Sequence, residues 1–239
     1  MQKIKCNYII YFTLIGILLL GCNKGKNENA ATDKSFIDYF TNGKDGWVGD
    51  FADYPNEADT LSKYQFEFSH TGLPNPLNNA DGALKLSGIN RSDDLFMFIK
   101  KKVSGLVPGK IYSIDFKVDF ATNAGSNMLG VGGAPGEGVT IKVGAVPLEP
   151  MKFLHLPEDW FRMNIDKGNQ SVGGADMKII GDFANGTSQN IYLLKQLSTA
   201  TPINVKANQQ GDIWLVIGTD SGFEGITTIF YNSIQIIIK

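Results

Sequence analysis

The chain has 239 residues, 43% of them hydrophobic and 19% charged, with 27 Gly and 9 Pro, a composition that excludes a disordered tail or a collagen-like rod. Formal charge is −2, and of the 22 basic residues only Arg91 and Arg162 are arginines, which argues against a nucleic-acid groove and against clustered bidentate phosphate clamps. The two histidines and two cysteines form no Cys/His cluster that could make a structural zinc site.

The first segment reads as an export signal. Lys3 and Lys5 precede an uncharged run from Tyr8 to Leu20, which is the order of a secretory n-region and h-region. The run is shorter than the roughly 20 apolar residues that a spanning helix needs. Leu19-Leu20-Gly21-Cys22 resembles the bacterial lipobox, and the resemblance implies cleavage after Gly21 and lipid attachment at Cys22. The leader takes Lys3, Lys5 and Cys6 with it, which leaves 218 residues of charge −4 and a single thiol, so no intrachain disulfide is possible. Anchoring by acyl chains at Cys22 implies a bacterial envelope location at the outer membrane, with contact to the membrane through the anchor only. Residues 1–21 are therefore expected to be signal peptide, 22–35 a flexible polar tether, and 36–239 one folded domain.

Beyond the tether the period is two. Tyr64 to Phe68, Leu84 to Leu86, Tyr112 to Phe120, Val139 to Val143 and Ile203 to Ala207 alternate apolar with polar residues, as half-buried antiparallel strands do. Ile213 to Ile217 and Ile234 to Ile238 are more continuously apolar, which predicts strands covered on both faces. Turn pairs such as Asn42-Gly43, Asp81-Gly82, Pro108-Gly109 and Asn185-Gly186 separate these runs. No convincing amphipathic helix competes. The expected fold is all-β, a single antiparallel β-sandwich or jelly roll. The stretch 122–190 is longer and richer in Gly than a compact sandwich needs, and its Gly130 to Gly136 run reads as a β bend rather than a phosphate loop, because no helix follows.

Three segments, Phe36 to Trp47, Leu106 to Tyr112 and Trp214 to Ile236, together resemble the galactose-binding-like jelly rolls of many carbohydrate-binding modules. Asp45 to Pro55, Ser92 to Lys102, Met163 to Gln170 and Gly218 to Gly225 are similar to stretches of surface lipoproteins of Bacteroidetes-type bacteria, a group that brings no established activity. The first resemblance implies an extracellular glycan as ligand.

Sugar recognition needs flat aromatic faces beside planar polar groups. Trp47 and Tyr54 flank Asp50 and Asp53, and Trp160 stands beside Arg162; these six are the candidate ligand-binding residues, while Trp214 is expected in the core. Asp93, Asp94, Asp220 and Glu224 bring hard oxygen ligands into expected loops, as Ca²⁺ requires, and calcium is the one cofactor this pattern points to. Two rival functions stand beside glycan binding. One is a hydrolase or lyase using a carboxylate pair, with Glu224 as its first candidate, although no nucleophile signature adjoins either histidine. The other is a structural component of an outer-membrane assembly. Oligomeric state is not legible.

Overall fold

The computed structural model describes residues 34–239; the expected signal peptide, Cys22 and most of the expected tether lie outside the described residues. Two antiparallel sheets face each other. The larger has seven strands: β1 (Lys34–Asp38), β4 (Glu67–Gly72), β5 (Gly82–Ile89), β7 (Ile111–Thr122), β14 (Leu193–Ser198), β15 (Ile203–Lys206) and β17 (Ile226–Ile238). Its order is β14-β7-β17-β5-β4, with β1 continuing the β5 edge along β17 and β15 continuing the β14 edge along β7. The second sheet has five strands in the order β13-β8-β16-β6-β2, comprising β2 (Val48–Ala52), β6 (Leu95–Val103), β8 (Val139–Val146), β13 (Met177–Asp182) and β16 (Ile213–Ser221).

From β5 onward the main strands change sheet at each step except from β8 to β13, which are neighbours in one sheet, and from β14 to β15, which both pair with β7. That is the path of a jelly roll. The expected all-β antiparallel sandwich is what the chain forms. Within the expected tether, Lys34 and Ser35 already pair with Ile238 and Ile237.

The core between the sheets follows from strand alternation. Tyr112, Ile114, Phe116, Val118 and Phe120 all point inward from β7, and Met97, Ile99, Ile141, Val143, Leu215 and Ile217 meet them from the other sheet. One expected strand is different: Thr60–Tyr64 forms the single helical turn α1, closed by Gln65 in the left-handed conformation at φ 49. The alternation read there from Tyr64 onward begins only at Glu67, because Tyr64 tucks against Tyr54 and Phe66 instead of extending.

The five-stranded sheet is buried on its outer face as well. Phe96, Phe98, Val146, Val216 and Met177 form a second apolar cluster there with Ala52 and Ile165. Gly218 sits opposite Phe98 in the ladder, and a Cβ on it would lie 2.4 Å from the Phe96 ring, so the ring occupies space that only glycine leaves. The cover is the long connection between β8 and β13. It carries β9 (Lys152–His155), β10 (Trp160–Met163), β11 (Gly168–Asn169) and β12 (Val172–Gly173). β10 also pairs with β3 (Tyr54–Pro55), making a small three-stranded sheet, β3-β10-β9. The excess length noticed in 122–190 is thus largely this lid of chain over a sheet face.

Trp47 is a core residue, not a ligand platform. It is 1% exposed, and its indole Nε1 donates to Asp38 Oδ2 at 2.8 Å. Tyr54 is likewise buried, against Tyr64, Phe66 and Phe161. The reason is shared: both flank an edge strand whose turns bring them back under the sandwich. Trp47→Ala is expected to lower the unfolding free energy by about 3–5 kcal/mol, read by denaturant titration, while leaving ligand affinity of the folded protein unchanged.

Candidate functional site

The lid is fastened to the sheet by charge. Lys142 on β8 and Asp220 on β16 both project from the outer face, since their strand neighbours Ile141, Val143, Ile217 and Thr219 are buried in or toward the inter-sheet core. Their side chains are fully buried and meet at 2.6 Å. The Lys142 ammonium also donates to the backbone oxygens of Lys167 and Val172, at 3.0 and 2.8 Å, in the lid. Lys167 returns from the lid to the same Asp220 Oδ2 at 2.8 Å and to Asp53 Oδ2 at 2.9 Å. Burial pulls the Lys142 ammonium below its ordinary pKa against the attraction of Asp220. Burial works on Lys167 in the same direction, but Asp220, Asp53 and Asp94 together outweigh it and hold this ammonium above its usual value.

Beside this network opens a cleft of about 210 Å³ lined by Asp53, Asp94, Arg162, Asp166, Lys167 and Asn169, with Met163 and Ile165 below. Asp53 is placed there by a left-handed backbone at φ 60 and by its N–H, which donates to the Phe161 oxygen at 2.6 Å. Arg162 Nη1 lies 3.2 Å from Asp53 Oδ1 and 3.5 Å from Asp94 Oδ2, while its Nε and Nη2 hold Glu158 Oε2 at 3.0 and 2.9 Å. Asp94 is the carboxylate left over: Lys167 is 4.0 Å from its Oδ1, which is buried and accepts no hydrogen bond. Burial, with Asp53 and Asp220 nearby, pushes its pKa up to about 6 despite the opposing pull of Lys167 and Arg162.

The cleft adjoins an aromatic surface. In the β9–β10 ladder Trp160 stands opposite His155 and Arg162 opposite Phe153, whereas Phe161 pairs with Leu154 and with Tyr54. Directly opposed residues share a face, so Phe161 and Tyr54 turn to the core and Trp160, His155, Phe153 and Arg162 turn outward. Phe153 is 45% exposed and meets His155 edge-on. The Arg162 guanidinium stacks 4.6 Å over the Trp160 ring, which links the aromatic face to the carboxylates of the cleft.

Of the six residues predicted to bind ligand, Trp160, Arg162 and Asp53 come together here. Asp50 is nearby but committed to Lys152 at 2.8 Å, and Trp47 and Tyr54 are internal. The four predicted metal ligands do not form one centre. Asp94 and Asp220 converge on Lys167, Asp93 is turned away with its backbone oxygen held by Gln170 at 2.6 Å, and Glu224 lies in a loop where its N–H donates to the Val131 oxygen. Among the described residues no three acidic or histidine side chains are grouped to hold a metal ion. Ammonium groups occupy the space where a cation would bring Asp94 and Asp220 together. Trp214 is partly buried and packs on the outer-face cluster rather than the central core.

Sequence reasoning missed Lys142 and Lys167, which carry no motif, and missed the outward alignment of Phe153 and His155 with Trp160. The period-two alternation on either side of the Leu156 to Asp159 turn was the available signal.

No protein-family model matches the chain, and no curated protein matches it. Among solved structures it is similar at low level to a carbohydrate-binding module of the β-sandwich superfamily, with 10% identity and a TM-score of 0.39 over 85% of this chain and 61% of that one. It is also similar to the CBM22-1–GH10 modules of Clostridium thermocellum xylanase 10B complexed with xylohexaose, with 17% identity, a TM-score of 0.38 and 84% and 28% of the two chains covered. A third is the K1 cleaved adhesin domain of Lys-gingipain from Porphyromonas gingivalis W83, at 11% identity and a TM-score of 0.35, covering 85% and 97% of the two chains. The chain spans less than two thirds of the length of the first two.

The raised pKa of Asp94 has a definite sign in stability. An acid that is harder to ionise when folded stabilises the fold while protonated, below the ordinary carboxylate pKa, and that contribution is lost as pH rises through about 6. Asp94→Asn is expected to be more stable than the parent at pH 7 by about 1–2 kcal/mol, after discounting for its partial exposure. It should also remove the fall in melting temperature between about pH 4 and 6, which thermal unfolding across pH would read.

Proposed function

We propose that this protein is a lipid-anchored, surface-exposed domain that binds a glycan on the outward face of β9 and β10. The observation that carries the reading is the alignment on one exposed sheet face of Trp160, Phe153 and His155 with the planar Arg162 and Glu158 groups. Aromatic rings offer the apolar side of a sugar a flat partner, and the guanidinium and carboxylate pair with its hydroxyls. The face belongs to a short sheet pinned to the sandwich by the β3–β10 pairing and the buried ion network, so its geometry is set before a ligand arrives. Pre-ordered side chains reduce the entropy cost of binding.

Trp160→Ala is expected to weaken glycan retention by about tenfold or more with little change in stability, because the ring is only partly buried. Glycan-array screening followed by affinity electrophoresis on the best polysaccharide checks it, and parental retention by the variant would remove the platform. The anchor rests on the Leu19 to Cys22 motif. Metabolic palmitate labelling is expected to mark the parent and not Cys22→Ser.

A further inference from the structure

Ion pairs in this domain differ in how completely water is kept from them. Lys85–Glu67, Lys100–Glu149 and Lys195–Asp182 have carboxylates 42–45% exposed, whereas the Lys142 and Asp220 side chains are both 0% exposed and meet at 2.6 Å. Lys142 is opposite Gly218 and Asp220 opposite Thr140 in the β8–β16 ladder, so the two are diagonal neighbours on the outer face, within reach of a long side chain. Phe96 stands directly opposite Asp220 from β6, and its ring belongs to the apolar cluster beneath the lid. An ammonium and a carboxylate enclosed there keep their charges at a high desolvation cost. One bond beyond the contacted oxygen lies Asp220 Cγ, an acyl carbon.

We propose that Lys142 and Asp220 condense into an intramolecular amide bond, a covalent strap between neighbouring strands of the five-stranded sheet. The site supplies a nucleophile, an oxyanion donor and a leaving oxygen. The Lys142 ammonium has three acceptors: Asp220 Oδ2, and the Lys167 and Val172 backbone oxygens at 3.0 and 2.8 Å. Once one proton has passed to the carboxylate, the two remaining N–H bonds stay with the backbone oxygens, and the freed lone pair is aimed at the carboxyl group. Burial favours that transfer, since it pulls the Lys142 ammonium below its ordinary pKa, and a desolvated lysine amine is a competent nucleophile. The Lys167 ammonium lies 2.8 Å from Asp220 Oδ2, where a fixed donor stabilises an oxyanion as it forms. Lys167 is not itself the nucleophile, because Asp220, Asp53 and Asp94 hold its proton in place. Asp220 Oδ1 is buried without a hydrogen-bond partner, so no donor restrains it as the leaving oxygen.

Lys142 Nζ attacks Cγ, the C–N bond forms, and negative charge gathers on Oδ2. The Cγ–Oδ1 bond then breaks. Of the three ammonium protons, two leave with Oδ1 as water and one stays on the amide nitrogen, while Oδ2 becomes the amide oxygen and still accepts from Lys167. Reactant pair and product are both neutral overall, and no co-reactant enters. Holding the groups in contact replaces the encounter that makes such a condensation slow in water, and the product carries neither buried charge. The lid that encloses the pair also keeps out the bulk water that reverse hydrolysis would need.

Tryptic mapping of the full chain, isolated folded at neutral pH, tests the bond independently of the glycan reading. Trypsin is expected to pass Lys142 uncut and to release residues 118–152 joined to 207–239, lighter by one water than the two peptides together, with fragment ions placing the link at Lys142 and Asp220. The Lys142→Met chain is expected to give 118–152 and 207–239 as separate peptides. Cleavage of the parent at Lys142 with an unmodified 207–239 peptide overturns the proposal. A water loss confined to the 207–239 peptide, as a cyclic imide at Asp220 would produce, overturns it as well. Where the variant does not fold, the parent map decides alone, because its fragment ions locate the link directly.

Discussion

The arrangement of this domain depends on one buried carboxylate oxygen. Asp220 Oδ2 receives two ammonium groups, Lys142 from the sheet at 2.6 Å and Lys167 from the lid at 2.8 Å, and so ties two layers that have no backbone ladder between them. Removing one member of such a buried set strands the remaining charges, typically at about 3–5 kcal/mol. An apolar replacement of the whole set could be as stable, so the network is better understood as fixing which lid position lies over which strand. Lys142 adds that specificity directly, through its bonds to the Lys167 and Val172 backbone oxygens.

The lid has two consequences for function. It removes the outer face of the five-stranded sheet from solvent, burying Phe96 and Phe98, so that face presents no open groove. It also supplies a new surface of its own. The β9–β10 hairpin turns Phe161 inward as an anchor against Tyr54, and strict strand alternation then forces Trp160 and Arg162 outward. The same residues that attach the hairpin therefore determine what it displays. The cleft lies at the seam where the β2–β3 bend, the β5–β6 turn and the lid meet, and each contributes charge: Asp53, Asp94, and Arg162 with Lys167.

How legible this was varies by element. β7 could be read residue by residue, since one buried face and one wetter face leave an unbroken alternation. β6 and β16 were harder, because burial on both faces erases the period: Leu95 through Lys100 is buried at every position. Lys142 was misleading for the same reason. Within Val139 to Val143 it occupies the polar slot of an alternating strand, which signals a wet face, yet it is fully buried. Tryptophan context misled in the other direction. The Asp- and Gly-bearing stretch around Trp47 has the composition of a surface loop, but its indole finds Asp38 and turns inward.

By itself the sequence determined the all-β class, most inward-facing positions of β7, and Trp160, Arg162 and Asp53 as polar and aromatic candidates. These are local properties, set by which side chains alternate along a strand and where turns break it. Only the tertiary structure decided that residues 147–176 fold over a sheet face, that Asp94 and Asp220 meet lysines rather than each other, and that Trp47 and Tyr54 are internal. The charge contacts among them join positions far apart in the chain, Lys142 with Asp220 at 78 residues and Asp53 with Arg162 at 109, and the strength of a buried charge pair is defined by what surrounds it in space rather than by its neighbours along the chain.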